Sequence, residues 1–253
     1  MNDGPVLFAG DPHRNFAPIR RACAANRPGT LVLLGDCECY KPLPVLLAPA
    51  FEAGWCVRWI LGNRDTDTEQ TFDNLVAAWP DGTLGGRVVE AGGLRIAGLS
   101  GVFKPRVWHP MENDPPAFKT REAFVGSLTA TQRWRDGLPL WHRDTIFPED
   151  FERLACERFD VLVTHEAPST HRHGFAVVDQ LATAGGAKLI VHGHHHESYD
   201  AVLPNGIAVK GLGLGEVWKP RRLGEDITAP STPASVSPHR PAPLPPDRRS
   251  DTD

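Results

Sequence analysis

Short continuous apolar runs recur along the chain, each followed by an amphipathic stretch. Runs at 5–9, 30–34 and 56–61 read as strands, and the stretches at 17–25, 44–53 and about 68–79 read as the helices between them. Unbroken apolar runs, as opposed to alternating ones, predict parallel strands covered on both faces. Further along, 88–91 and 94–99 flank Gly92-Gly93 and predict a hairpin. A helix at 148–158 precedes a strand at 161–164, and a helix at 175–184 precedes one at 189–192. A second hairpin is expected at 199–203 and 207–211, around Pro204-Asn205-Gly206. Parallel β-α units punctuated by hairpins predict an α/β fold with two packed sheets and helices outside.

Two segments break this rhythm. Residues 101–145 have weak periodicity and carry three Trp and seven Lys/Arg against five Asp/Glu, as expected of a cap-like insertion. From about Gly224 the chain turns to Pro, Ser, Thr and charge, so a domain over 1–223 followed by a disordered tail over 224–253 is expected. Composition excludes other classes. With 24 Gly and 24 Pro, a coiled coil, helical array or collagen-like rod is ruled out. A formal charge of −4 supplies no global field for nucleic acid, although a local basic patch is compatible with one. No apolar run approaches the roughly 20 residues that span a bilayer. The start lacks the basic region of a signal peptide, and five sparse cysteines fit reduced thiols, so a cytoplasmic location is expected.

The chemistry lies where the strands end. Five of them run directly into polar signatures: Gly10-Asp11-Pro12-His13, Gly35-Asp36-Cys37-Glu38, Gly62-Asn63-Arg64-Asp65, Thr164-His165-Glu166 and Gly193-His194-His195-His196. The carboxyl ends of parallel strands converge on one crevice. Asp11, His13, Asp36, Asn63, His165, His194 and His196 can therefore meet there. Two carboxylates, an amide and four imidazoles suit first-row divalent metals, and seven ligands suit two ions sharing a carboxylate. In an extended segment His194 and His196 would project to one side and His195 to the other.

This ordered set resembles the motifs of the calcineurin-like metallophosphoesterases over roughly residues 5–218. The resemblance implies a four-layer α-β-β-α sandwich. It also implies that Asp11, His13, Asp36 and His196 hold one metal, with Asp36 bridging to a second that Asn63, His165 and His194 complete. The implied cofactors are two divalent ions, manganese first, with iron, zinc, nickel or cobalt as alternatives. The implied activity is phosphoester hydrolysis by a metal-bridging hydroxide, on a phosphorylated small molecule or nucleotide, with Asn63, Arg64 and Asp65 as the catalytic motif.

One position departs from the family pattern. Arg64 stands where the family has histidine, and arginine cannot act as a general acid. It can stabilise charge on a phosphoryl oxygen, so phosphodiesters with good leaving groups are expected to be favoured over alkyl monoesters. The plainer reading is that Arg64 pairs with Asp65 or Asp67 and only supports its loop. In the insertion, Lys104, Arg106, His109 and His142 are candidate substrate contacts, His109 and His142 as replacement acids. The alternative is that its tryptophans anchor the loop while its cations are solvated. Residues 98–104 are similar to a stretch of RNA lariat debranching enzymes, which makes a nucleotide or RNA phosphodiesterase the alternative activity. A metal-free binding scaffold is the non-enzymatic alternative, and it predicts missing ligands.

Overall fold

The computed structural model describes residues 4–220, so the expected 224–253 tail lies outside the described residues. In its first half the chain forms β1 (Val6–Ala9), α1 (Ala17–Ala24), β2 (Thr30–Leu33), α2 (Leu43–Leu46), α3 (Ala48–Glu52), β3 (Cys56–Trp59) and α4 (Glu69–Phe72). Next come β4 (Val88–Ala91), β5 (Leu94–Leu99), α5 (Arg121–Gly126), α6 (Pro148–Ala155), β6 (Val161–Thr164) and α7 (Ala176–Gly185). The last elements are β7 (Leu189–His192), β8 (Tyr199–Val202), β9 (Ala208–Gly211) and β10 (Val217–Trp218).

These strands make two sheets, ordered β10-β1-β2-β3 and β4-β5-β6-β7-β9-β8. Strands β1, β2 and β3 are parallel, as are β5, β6, β7 and β9, while β10, β4 and β8 pair antiparallel at the edges. Side-chain alternation explains why the central strands are apolar throughout. Val6, Phe8, Val32 and Leu34 join Val161, Val163, Leu189 and Val191 in the core between the sheets. Their neighbours Leu7, Ala9, Leu31 and Leu33 pack outward with Ile19, Leu43 and Leu47 of the helical side. On the far side, Leu162 and Ile190 pack with Leu154, Val178 and Leu181. The result is the expected α/β four-layer sandwich.

Several expectations change in detail. The helix expected at 44–53 is two short helices, because Pro49 cannot continue α2 and instead opens α3. The helix expected at 68–79 starts at a Thr68 cap and passes into a π-helical turn at Asp73–Ala77. Strand β10 is too short to register as an apolar run. Inside the irregular 101–145 segment, Thr120 caps α5, accepting from the Ala123 N–H at 3.1 Å. Phe103, Trp108, Phe124 and Leu138 of this segment are buried in the outer core, so it is a packed layer over the sheet more than a lid.

Candidate metal centre

The strand ends deliver their polar side chains through backbone that few residues adopt. Asp11, His13, Asp36, His194 and His196 all have positive φ, between 40° and 74°, in the left-handed region that costs non-glycine residues about 1–2 kcal/mol each. Such strain persists where surrounding structure enforces it, and it concentrates at functional sites. Two glycines allow the close approach. A Cβ on Gly62 would lie 2.3 Å from Asp36 Oδ1 and 2.6 Å from His165 Cε1, and one on Gly35 would lie 2.7 Å from His165 Nδ1.

The structure gathers these side chains into two overlapping groups. Asp11, His13, Asp36 and His196 form one, Asp36, His165 and His194 the other, each with a ligand atom per residue within 4.8 Å of the rest. Asn63 stands beside the second group, its Oδ1 3.2 Å from His165 Nε2. The imidazoles are fixed for ligation. His165 Nδ1 donates to the Leu34 carbonyl at 2.7 Å, so its Nε2 presents a lone pair. His13 Nδ1 donates to Glu38 Oε1 at 2.6 Å, which frees its Nε2 in the same way. The backbone N–H of His194 donates to both oxygens of Asp11, at 3.1 and 3.0 Å. Asp36 Oδ1 accepts from the Arg64 N–H at 2.8 Å.

The spacing and electrostatics fit divalent cations. Ligand atoms about 2.1 Å from one ion lie about 3.0–3.4 Å apart at right or tetrahedral angles. His13 Nε2 is 2.9 Å from His196 Nε2 and 3.6 Å from Asp36 Oδ2, and His165 Nε2 is 3.5 Å from Asp36 Oδ1. Burial pushes Asp11 up to about 8, with Asp36 and Asp65 adding like charge, and it raises Asp36 as well. Burial also depresses His165 and His194 to about 4, so both imidazoles are neutral donors. Burial that raises the carboxylates beside neutral imidazoles is a cost that a bound cation would offset, leaving a charge-compensated set.

A family profile for calcineurin-like phosphoesterases matches residues 4–198. The chain belongs to the calcineurin-like phosphoesterase family. A Haemophilus influenzae protein, described as uncharacterized, is 38% identical over 198 residues, covering 77% of this chain and 84% of its own length. The crystal structure of TT1561 from Thermus thermophilus is similar in fold. It has a TM-score of 0.51 and 11% identity over 83% of this chain and 89% of that one.

Beside the second donor group, the chain has a cleft of about 530 Å³, walled by Asn63, His194, Phe103, His109, Glu166 and Phe175 among others. The remaining expected contacts fall inside and outside it. His109 lines the cleft, with its ring edge on Phe175 and Nδ1 3.7 Å from Glu112. Lys104, Arg106 and His142 do not. The Lys104 ammonium donates to the buried Asp144 at 2.6 Å, and the exposed Arg106 guanidinium lies 5.3 Å from the Phe124 ring centre. His142 is fully buried against Phe124 and bonded to Thr145, its pKa pushed down to about 4 by burial, so it is a packing residue. Asp65 stands back from the cleft. It is fully buried and accepts from the N–H groups of Glu38 (3.0 Å) and Gly62 (2.9 Å), so it braces the two loops without facing the cleft. Arg64 keeps its side chain 55% exposed and 3.4 Å from Asp67.

The 194–196 segment is not extended, because His194 and His196 both have positive φ. They part company, one to each donor group, and His195 stacks on His171 at 4.0 Å. Two neighbours support the donor groups, of which Glu166 is legible in the sequence as a supporting or loop residue beside His165 and Glu38 is not. Glu38 orients His13, and Glu166 is buried with Oε1 accepting from Phe103 N–H at 3.0 Å and Oε2 4.0 Å from His194. Burial pushes Glu166 up to about 8.

Among the described residues no helix is long and apolar enough to cross a membrane, and all five cysteines are free.

Proposed function

We propose that the protein is a dinuclear metal-dependent phosphoesterase that favours phosphodiesters and other esters with good leaving groups. Asp11, His13, Asp36 and His196 would hold one ion, and Asp36, Asn63, His165 and His194 the other, manganese being the first choice. Two such ions supply a hydroxide nucleophile near neutral pH and neutralise charge on a phosphoryl oxygen. The observation that supports this reading is the pair of donor groups sharing Asp36, with imidazole tautomers fixed by Leu34 and Glu38.

The chain's own groups set the preference. Arg64 is tethered by its backbone N–H to Asp36, yet among the described residues its guanidinium is held only by a long, exposed contact to Asp67. An exposed pair of that kind is worth about 0–1 kcal/mol, so Arg64 can turn toward a phosphoryl oxygen at little cost. It offers a two-pronged charge and no transferable proton. Departure of the leaving group then depends on its own basicity. Phe103 and Phe175 give the adjoining cleft an apolar surface beside His194.

The test is the rate on a series of aryl and alkyl phosphodiesters with manganese present, plotted against leaving-group pKa. The expected slope is steep in the parent and shallower in Arg64→His. A flat dependence in the parent would overturn the assignment of Arg64, and absence of turnover with every ester would overturn the enzymatic reading.

A further inference from the structure

A second cavity, of about 640 Å³, opens beside Trp59 of β3, the 83–87 segment and the start of α6, and none of the residues lining it is a proposed metal ligand. One wall is apolar, made by Trp59, Leu61, Phe72, Val76 and Leu138. The rest carries Arg87, Arg121, Arg143 and Arg153 with only Glu149 and Asp150 as counter-charges. Those two acids are already matched. Arg121 donates to Glu149 at 2.8 Å and to Asp150 at 2.6 Å, and Arg153 donates to Asp150 at 2.9 Å.

Two cations are left over. Among the described residues Arg87 and Arg143 form no ion pair with a carboxylate, and Arg87, which lines the cavity, is exposed. Arg143 is held in place without neutralisation. Its Nε and Nη2 donate to the carbonyls of Leu138 and Trp134, each at 3.2 Å, and its guanidinium carbon is 5.1 Å from the Trp134 ring centre. Burial and the nearby charge of Arg135 both work against its charged form. A half-buried guanidinium fixed by carbonyls and lacking a carboxylate is pre-organised for an anion, since partial burial of a charge is costly until it is paired.

We propose that this cavity binds a small organic phosphate of the nucleoside monophosphate class, its phosphate meeting Arg87 and Arg143 and its flat body resting on the Trp59–Phe72–Leu138 wall. A phosphate monoester carries close to two negative charges at neutral pH, which matches two unpaired guanidinium groups. The volume falls within the roughly 300–1,000 Å³ of small-molecule sites. The cavity wall also reaches the metal loop, because the Leu61 N–H donates to Ser100 Oγ at 2.8 Å and Leu61 leads directly into Gly62-Asn63. Binding here does not depend on the metal centre being catalytic.

Isothermal titration of the full-length protein with AMP tests it, before and after metal is removed by chelation. One saturable site is expected in the chelated protein, where the metal centre cannot contribute. Arg87→Gln and Arg143→Gln should each weaken binding by at least about tenfold, while His194→Ala should leave it unchanged. Adenosine alone and inorganic phosphate alone should each bind more weakly than AMP by a similar factor. Arg87 is exposed, so Arg87→Gln decides the matter even if Arg143→Gln fails to fold. The proposal is overturned by absence of saturable AMP binding to the chelated protein. Undiminished affinity in Arg87→Gln, loss of binding in His194→Ala, or phosphate binding as tightly as AMP would each overturn it too.

Discussion

Replacing Gly62 by alanine isolates the steric demand of the metal loop. The added Cβ would sit 2.3 Å from Asp36 Oδ1, 2.5 Å from Asp36 N and 2.6 Å from His165 Cε1. Normal contacts of this kind are about 3.4 Å or longer, so Asp36 or the loop must move by about 1 Å. One of the obstructing atoms is backbone and the others belong to buried residues, so the strain cannot be relieved by turning a flexible tip. Overpacking of this kind costs about 1–3 kcal/mol. For a chain of this size that lowers Tm by about 2–4 °C per kcal/mol. Because Asp36 is shared by both donor groups, the displacement should also cut the affinity for manganese at both positions. Thermal unfolding of Gly62→Ala with and without manganese reads the two effects separately. The expected result is a lower metal-free Tm together with a smaller gain on adding metal. A metal-free Tm and a manganese gain both equal to the parent's would refute the claim that this close approach sets the position of Asp36.

Two further outcomes follow from the surroundings of the donor groups. Glu38→Gln keeps the shape but weakens the hold on His13 Nδ1, and losing such a partner typically costs about 10–100-fold in metal affinity; competition with a fluorescent chelator should show that loss. Manganese stabilisation should grow with pH between about 6 and 8. Asp11, raised to about 8, keeps its proton in the metal-free fold where the unfolded chain has already released it. Its contribution to metal-free stability is therefore present at low pH and lost as pH rises, while metal binding requires that proton to leave. His165 and His194, depressed to about 4, are neutral throughout this window and add no slope. The check is the manganese-induced change in Tm at several pH values, and a gain that does not vary with pH would contradict it.

Much of the fold is legible along the chain because the central strands are sandwiched between two apolar layers and end abruptly in a polar residue, after a glycine for β1, β2, β3 and β7 and directly for β6. Phe8 facing the other sheet and Leu7 facing the helices make 5–9 unbroken, and Gly10-Asp11 stops it. The same abrupt endings brought Asp36, Asn63, His165 and His194 to notice. What escaped depends on distances through space. Glu38 matters because it lies 2.6 Å from His13 Nδ1, and no local pattern marks that. The surroundings of Lys104 and His142 are illegible for a related reason. In an irregular segment a cation against a buried acid, or a histidine packed on Phe124, has the same sequence appearance as a residue waiting for substrate. The 194–196 turn misled because alternation assumes extended backbone, whereas positive φ at His194 and His196 sends the two rings to different donor groups.

Metal content tests the central claim most directly. The protein is loaded with manganese, desalted and assayed for bound metal per chain alongside Asp36→Asn. Two ions in the parent and at least one fewer in Asp36→Asn is the predicted result. One ion or none in the parent, or two retained without the Asp36 carboxylate, would contradict a dinuclear centre built on that shared residue.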